Sequence, residues 1–541
     1  MSRSVRVVCY AVNGSGVGHL TRQHAIARWM RRYASALGVR AEIWFLTSCE
    51  ADGILFADGF PSFKLPSKTV VGHAGYDKLA YLALAKQWVW HSLALLRPDL
   101  LVVDTFPRGA FGELLGALDL VRRKAFVYRP TKAAFAARAD FQAMLPLYDA
   151  ILVPEPPGEA RVQVPEAAKG RVHHVGPVVS CDEVELSARE EARRALGVED
   201  GRIAVLVSAG GGGDPGARAH LARVHEALAD DPSLHLVLAA GQLHRGDAIR
   251  GPRVTWIEGP GLGRHMRAFD LAICAAGYNT FHELMLAGVP TLFVPQEKIA
   301  DEQDRRAQRA IDAGAGARLE LGDAASLRDA VDRFREPSVR AAAAEAARRL
   351  VPASHARDAA AELLRLVLPP HEVEAAEELV TDDVLSRTGP RLDAFLALLR
   401  ALSGGEATAR DVPPALAALD GIARVPEPQQ TRFVELVVRK LPYATADERA
   451  WALGALVDAF TPFADWQGAV ILLGLLSTER QLGANGLVQR LASFLQGLRA
   501  RGADLYGGIA DLSRATAAAE PGTNEALFRT VTPSLGTSEE P

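Results

Sequence analysis

A strand-length apolar run, followed at once by closely spaced glycines and then by a helical stretch, occurs twice in this chain. That repeat restricts the fold more than any other feature. The first copy is residues 5–12, then Asn13-Gly14-Ser15-Gly16-Val17-Gly18-His19, then a helix-like segment over about 20–37. The second copy is residues 203–208, then the glycines of 210–213, then a helix from about Ala217. Around the first copy, apolar runs at 41–46, 100–103, 125–128 and 150–153 alternate with helical stretches. Around the second, the runs lie at 234–239, 254–256, 271–274 and 291–294. Strands that are apolar throughout and separated by helices imply parallel sheets covered on both faces. The expectation is therefore α/β: two tandem Rossmann-like domains, residues 1–175 and 176–369, facing a central cleft. Beyond Pro369 the Ala- and Leu-rich pattern predicts an all-helical appendage over 370–520, and the polar end, 521–541, a flexible tail.

Length and composition exclude several classes. A chain of 541 residues allows three or four domains, and 49% hydrophobic with 23% charged residues is the balance of a soluble globular protein. Lys plus Arg is 61 against 65 Asp plus Glu, a net charge of −4, which argues against nucleic acid as a partner. Cys9, Cys49, Cys181 and Cys274 are too far apart for a zinc motif, and they suit a reduced, cytoplasmic compartment. The N-terminus runs into the first glycine turn rather than into a cleavable apolar stretch. Residues 79–103 form the longest apolar region, but Lys86, His91, Arg97 and Asp99 interrupt it, so it fails as a membrane span. Its helix, 79–96, carries Trp88, Val89 and Trp90. It reads either as an ordinary core helix or as a peripheral contact with the inner face of a membrane.

In an open parallel sheet, ligands bind at the carboxyl ends of the strands, where both glycine turns fall. Glycine lets backbone approach a ligand closely, and the helix that follows favours negative charge at its N-terminus. A nicotinamide site needs an acidic residue at the end of the second strand; that strand ends in Thr47-Ser48-Cys49, with Glu50 just beyond, which argues against dinucleotide binding. His19 closes the first turn. An imidazole in a cleft titrates near neutrality and can take a proton from a hydroxyl; the alternative is a helix-capping or surface histidine. Asp104 ends the 100–103 strand at the same sheet edge, where it either orients that imidazole or caps the turn Thr105-Phe106-Pro107. In the second half, Ala276-Gly277-Tyr278-Asn279-Thr280 opens a helix whose amides suit a diphosphate. Glu283 lies one turn in, at reach for ribose hydroxyls. Asp301-Glu302-Gln303-Asp304 offers acceptors and an amide to a sugar.

Residues 276–283, Ala287-Gly288-Val289-Pro290, Pro295 and Asp301-Glu302-Gln303 together resemble the donor-site signature of GT-B glycosyltransferases. They are most similar to the family-28 group, which includes the peptidoglycan lipid-intermediate N-acetylglucosaminyltransferases. Residues 14–19 resemble that family's first glycine loop and residues 208–213 its second. The resemblance implies that Gly210, Gly211, Gly212 and Thr280 meet the donor phosphates, and Gly277 and Asn279 also belong to the donor site. It gives Glu283 the ribose, and Glu302, Gln303 and Asp304 the transferred sugar. Gly14, Ser15, Gly16 and Gly18 would form the acceptor-side phosphate loop. His19 would be the base and Asp104 its partner, and a helix over 354–368 would cross back to the first domain.

The expected function is inverting transfer of a sugar, such as N-acetylglucosamine, from a UDP-sugar to a hydroxyl acceptor that is lipid-linked, a glycan or a small molecule. The chain contains no Asp-x-Asp triplet, so helix ends replace a cation in this reading and no metal or cofactor is expected. A nucleotide-sugar hydrolase or epimerase on the same fold remains an alternative. So does a non-catalytic nucleotide-sugar-binding scaffold whose helical domain recruits a protein partner.

Overall fold

The computed structural model describes residues 4–380 apart from positions 13–15, 38, 160–161, 209, 215, 245, 260, 299 and 321–323. The expected helical appendage therefore lies outside the described residues except for its first turns, and the expected tail lies wholly outside them.

Two all-parallel sheets follow one another. The first contains β1 (Ser4–Ala11), β2 (Arg40–Thr47), β3 (Ser62–Lys64), β4 (Leu100–Asp104), β5 (Arg123–Val127), β6 (Ala150–Val153) and β7 (Val172–His174), in spatial order 3-2-1-4-5-6-7. The second contains β8 (Ile203–Ser208), β9 (Leu234–Ala239), β10 (Val254–Ile257), β11 (Leu271–Cys274), β12 (Thr291–Phe293) and β13 (Gly316–Arg318), in order 10-9-8-11-12-13. Both are doubly wound, and strand order reverses between β1 and β4 and between β8 and β11. Those switch points are where such sheets bind ligands. The sequence pattern finds ten of these strands. It misses β3, β7 and β13, three-residue edge strands too short to show a period.

Strand alternation sorts side chains into cores on the two faces of each sheet. Val5, Val7, Cys9 and Ala11 of β1 face one core, and Val8 and Tyr10 face the other. The first of these is covered by α1 (Gly18–Ala36), the helix that follows the glycine turn. The second is covered by α2 (Lys78–Leu96), which buries Tyr81, Ala85, Val89 and Leu93 at a spacing of four. Asp77 caps α2 by accepting the Ala80 N–H at 2.6 Å. Arg97, in the left-handed region at φ 45°, ends the helix, and Pro98 follows it.

The opposite side of α2 is also apolar, and here the core-helix reading is incomplete. Leu79 is 76% exposed, Leu95 80% and Trp90 45%. No helix among the described residues is long and apolar enough to cross a membrane.

The last described helices return to the first domain. The helices α5 (Ala356–Leu364) and α6 (Pro370–Leu379) are numbered after α3 (Tyr278–Ala287) and α4 (Gln303–Asp312) of the second domain. They place Ala359, Ala360, Leu363, Leu364, Val373 and Ala376 in the same core as α1. Alanines at the crossing let the α5 backbone come close to α1. Residues 370–380 thus pack into the core of the first domain.

Candidate active site

The two switch points face each other. β1 leads through the first glycine turn into α1, and β4, hydrogen-bonded beside β1, ends in Asp104. β8 leads into residues 210–213, and β11 beside it leads to Gly277 and α3. The loops touch: a Cβ built on Gly211 would lie 3.3 Å from Gly16 Cα and from Val17 N. Asn279, in the first turn of α3, donates to Gly18 O at 3.3 Å and to Thr21 Oγ1. The N-termini of α1 and α3 therefore meet across the cleft, and both favour an anion between them.

His19 and Asp104 come together as expected, with His19 Nδ1 2.6 Å from Asp104 Oδ1. Asp104 is buried and holds three further bonds. Arg22 donates through Nε to Oδ2 at 2.9 Å and through Nη2 to Oδ1 at 2.7 Å, and Thr105 donates to Oδ1 at 2.7 Å. Thr105 is in the left-handed region at φ 61°, a costly conformation for a β-branched residue. Its N–H bonds to Val127 O at 3.0 Å, which holds the turn that aims Asp104 at α1.

Burial alone would push the Asp104 carboxyl up, but Arg22 and His19 beside it hold it well below the ordinary carboxylate range. For His19 burial dominates and lowers its basicity. Asp104 opposes that shift, and Arg22 and Arg129 reinforce it. The imidazole is therefore neutral near pH 7, with Nδ1–H donated to Asp104 and Nε2 left as the basic nitrogen.

A second group of charges spans the cleft; of its members the sequence pointed only to Asp301, as an acceptor for sugar, and here that carboxylate is paired with two arginines. Arg129, just past β5, pairs with Asp301, and Arg306 of α4 donates to the same Asp301 Oδ1 at 2.9 Å. Burial would raise the Asp301 carboxyl, but Arg306 and Arg129 hold it well below its ordinary value. Arg22, Arg129 and Arg306 thus stand together at the cleft, where Asp104 and Asp301 pair with them. Arg129 Nε is buried with no hydrogen-bond partner.

The donor-side residues divide. Gly277 is the N-cap of α3, so the amides of its first turn are those the sequence pointed to. Gly212 has φ 81°, and a Cβ there would lie 2.3 Å from Ala240 O; only glycine allows that loop to lie on the end of β9. Gly210 donates its N–H to Ser208 Oγ at 3.2 Å. Glu283 accepts from Ser180 Oγ at 2.5 Å, and burial pushes its carboxyl up. Gln303 opens α4 and its Oε1 accepts the Gln296 N–H at 2.9 Å. Glu302, the N-cap, lies 3.3 Å from Arg305. Asp304 is exposed and paired with Arg318 at 2.8 Å, apart from the others. Thr280 stands in the first turn of α3, and Gly16 and Gly18 flank the cleft. Gly14 and Ser15 lie outside the described residues. Among the described residues no group of three or more His, Cys, Asp or Glu could hold a metal ion.

Comparison with known proteins bears on the second domain most. Residues 261–363 match the model of the glycosyltransferase family 28 C-terminal domain. A UDP-N-acetylglucosamine--N-acetylmuramyl-(pentapeptide) pyrophosphoryl-undecaprenol N-acetylglucosamine transferase of Salinibacter ruber is 32% identical over 168 residues, 29% of this chain and 45% of that protein. The protein of the same name from Nocardioides sp. is 32% identical over 149 residues, 25% of this chain and 38% of that one. The chain thus matches less than half the length of these curated relatives. Among solved structures, a spinosyn rhamnosyltransferase complexed with thymidine diphosphate aligns at 20% identity with a TM-score of 0.45, over 65% of this chain and 98% of that one.

Proposed function

We propose that this chain, which carries a glycosyltransferase family 28 C-terminal domain over residues 261–363, transfers a sugar with inversion from a UDP-sugar to a hydroxyl acceptor. N-acetylglucosamine is the sugar that the names of its relatives favour. The observation that carries the reading is the His19–Asp104 pair, bonded at 2.6 Å where the helix N-termini of both domains converge.

His19 Nε2 accepts the proton of the acceptor hydroxyl, and Asp104 stabilises the imidazolium that forms. The acceptor oxygen bonds to the anomeric carbon as the bond from that carbon to the diphosphate breaks, so a single displacement inverts the centre. Negative charge growing on the leaving UDP meets the N-terminus of α3 and the glycine loop 210–212, whose Gly210 N–H would exchange Ser208 Oγ for the diphosphate. These fixed dipoles need no reorganisation, and no metal ion enters the scheme. Glu283 exchanges its Ser180 hydroxyl for the ribose, and Glu302 and Gln303 hold the sugar. Asp304, turned to solvent with Arg318, is left out of this assignment.

The relatives are named for a pyrophosphoryl-undecaprenol acceptor. A lipid-borne acceptor brings the enzyme to a membrane surface, and the exposed apolar side of α2 suits that contact. The test of the reaction is UDP release from UDP-N-acetylglucosamine by wild type and His19→Ala. Free sugar formed without any acceptor would instead indicate a hydrolase.

A further inference from the structure

Arg22 has no part in the proton transfer, yet it is the most heavily engaged residue beside it. Its side chain is 1% exposed. Its fork takes both oxygens of Asp104, at 2.9 and 2.7 Å, and its Nη2 lies 3.4 Å from His19 Nδ1 and from Thr105 Oγ1. The face of its guanidinium lies 4.9 Å from the centre of the Tyr278 ring, which belongs to the other domain. Tyr278 is itself fixed across the cleft: its hydroxyl donates to Pro154 O at 2.7 Å and accepts from Val178 N at 3.1 Å. The next residue, Asn279, holds Gly18 and Thr21. One end of α3 thus grips the first turn of α1 at Gly18, Thr21 and Arg22.

We propose that Arg22 is a positioning residue that couples the His19–Asp104 pair to closure of the cleft. Its fork holds the carboxylate in the plane His19 needs, and Tyr278 of the donor-side domain holds the fork. A planar, bidentate guanidinium fixes both position and rotation of a carboxylate; an ammonium supplies charge without that geometry. With the domains apart, Tyr278 and Asn279 leave, and the carboxylate regains its rotation. The base is then fully assembled only in the closed cleft, where a bound donor would be shielded from water. The idea rests on the proposed role of His19, but the geometry it uses exists without any substrate.

The groups that face His19 are Asp104 at the end of β4, Arg22 on its own helix and Arg129 beyond β5. Removing the Arg22 charge removes one of two cations that disfavour imidazolium. The test is a titration of the His19 imidazole by proton–carbon NMR on the full chain, with the signal assigned by its loss in His19→Gln. Arg22→Gln is expected to raise the His19 pKa by about 0.5–1 unit. Arg22→Lys is expected to keep the pKa within about 0.3 unit of wild type while turnover falls about tenfold or more. Tyr278→Leu removes no charge but loosens the Asp104 bond that raises the His19 pKa, so it is expected to lower that pKa. An Arg22→Gln protein with an unchanged His19 pKa overturns the positioning role, and an unmoved pKa in Tyr278→Leu overturns the link to closure. Should Arg22→Gln fail to fold, Arg22→Lys and Tyr278→Leu still decide both points. UDP binding by the wild type is measured alongside. Its absence would sink the transferase reading and leave the titration result standing.

Discussion

Asp104→Asn is the substitution whose consequences the geometry fixes most closely. The carboxylate receives two bonds from Arg22, one from His19 and one from Thr105. Removing its charge leaves the Arg22 guanidinium uncompensated at 1% exposure, and breaking a buried pair in this way costs about 3–5 kcal/mol. The amide keeps the shape and one acceptor oxygen, so the low end applies, about 3 kcal/mol. For a domain of this size each kcal/mol moves Tm by ~2–4 °C, which predicts a fall of roughly 6–12 °C. Catalysis suffers separately. Once the amide oxygen takes the Arg22 fork, the NH2 group faces His19 Nδ1 and favours the tautomer protonated at Nε2, which is no base. The same exchange in the serine-protease triad costs about 10⁴ in turnover, and about 10³–10⁴ is expected here. The pH dependence has a definite sign. A carboxyl held below its unfolded value contributes stability above that value, near ~3.9, and loses it as pH falls through the folded value. The gap in Tm between wild type and variant should therefore be full at pH 7 and shrink progressively below about pH 4. Thermal unfolding across that range, with UDP release at pH 7.5, measures both effects. A variant within about 0.5 kcal/mol of wild type, with turnover within about threefold, would refute the reasoning.

Three further outcomes are expected. Gly212→Ala forces φ 81° on a residue with a Cβ aimed at Ala240 O; the loop must shift, and the Kd for UDP should rise about tenfold or more by calorimetry. Glu283→Ala removes the proposed ribose partner and should weaken UDP binding while the fold persists; an unchanged affinity would return the residue to a role confined to Ser180. Replacing Trp90 and Leu95 together by alanine, on the exposed side of α2, should lower co-sedimentation with anionic liposomes, and equal recovery of both proteins would remove the membrane from the account.

Much of the architecture is legible in the sequence because buried parallel strands are apolar throughout and need no partner to be recognised. Residues 100–103 and 271–274 are examples, and each points to the residue that follows it at the sheet edge. His19 and Asp104 are found by that reasoning, since strand order alone brings them to one switch point. Arg22, Arg129 and Arg306 escape it. An arginine on a helix or after a strand reads as a solvated surface charge, yet these three are buried beside Asp104 or Asp301. A hint existed for Arg22, which sits three residues after His19 on the same helical face. Thr105 carries no sequence signal of its left-handed backbone, because the turn is imposed by Val127 rather than by residue type. For Glu283, the partner Ser180 lies 103 residues away in the segment joining the two sheets, a distance that local pattern does not cross.

The central claim is that His19 removes a proton from an acceptor while the second domain holds a UDP-sugar. Its most direct test is the rate of UDP release from UDP-N-acetylglucosamine with a short-chain polyprenyl-pyrophosphoryl glycolipid acceptor, wild type against His19→Ala, both saturated with donor. The account predicts turnover in the wild type, a loss of about 10²–10⁴ in His19→Ala, and UDP affinity equal in the two proteins. Turnover by His19→Ala at the wild-type rate would contradict it.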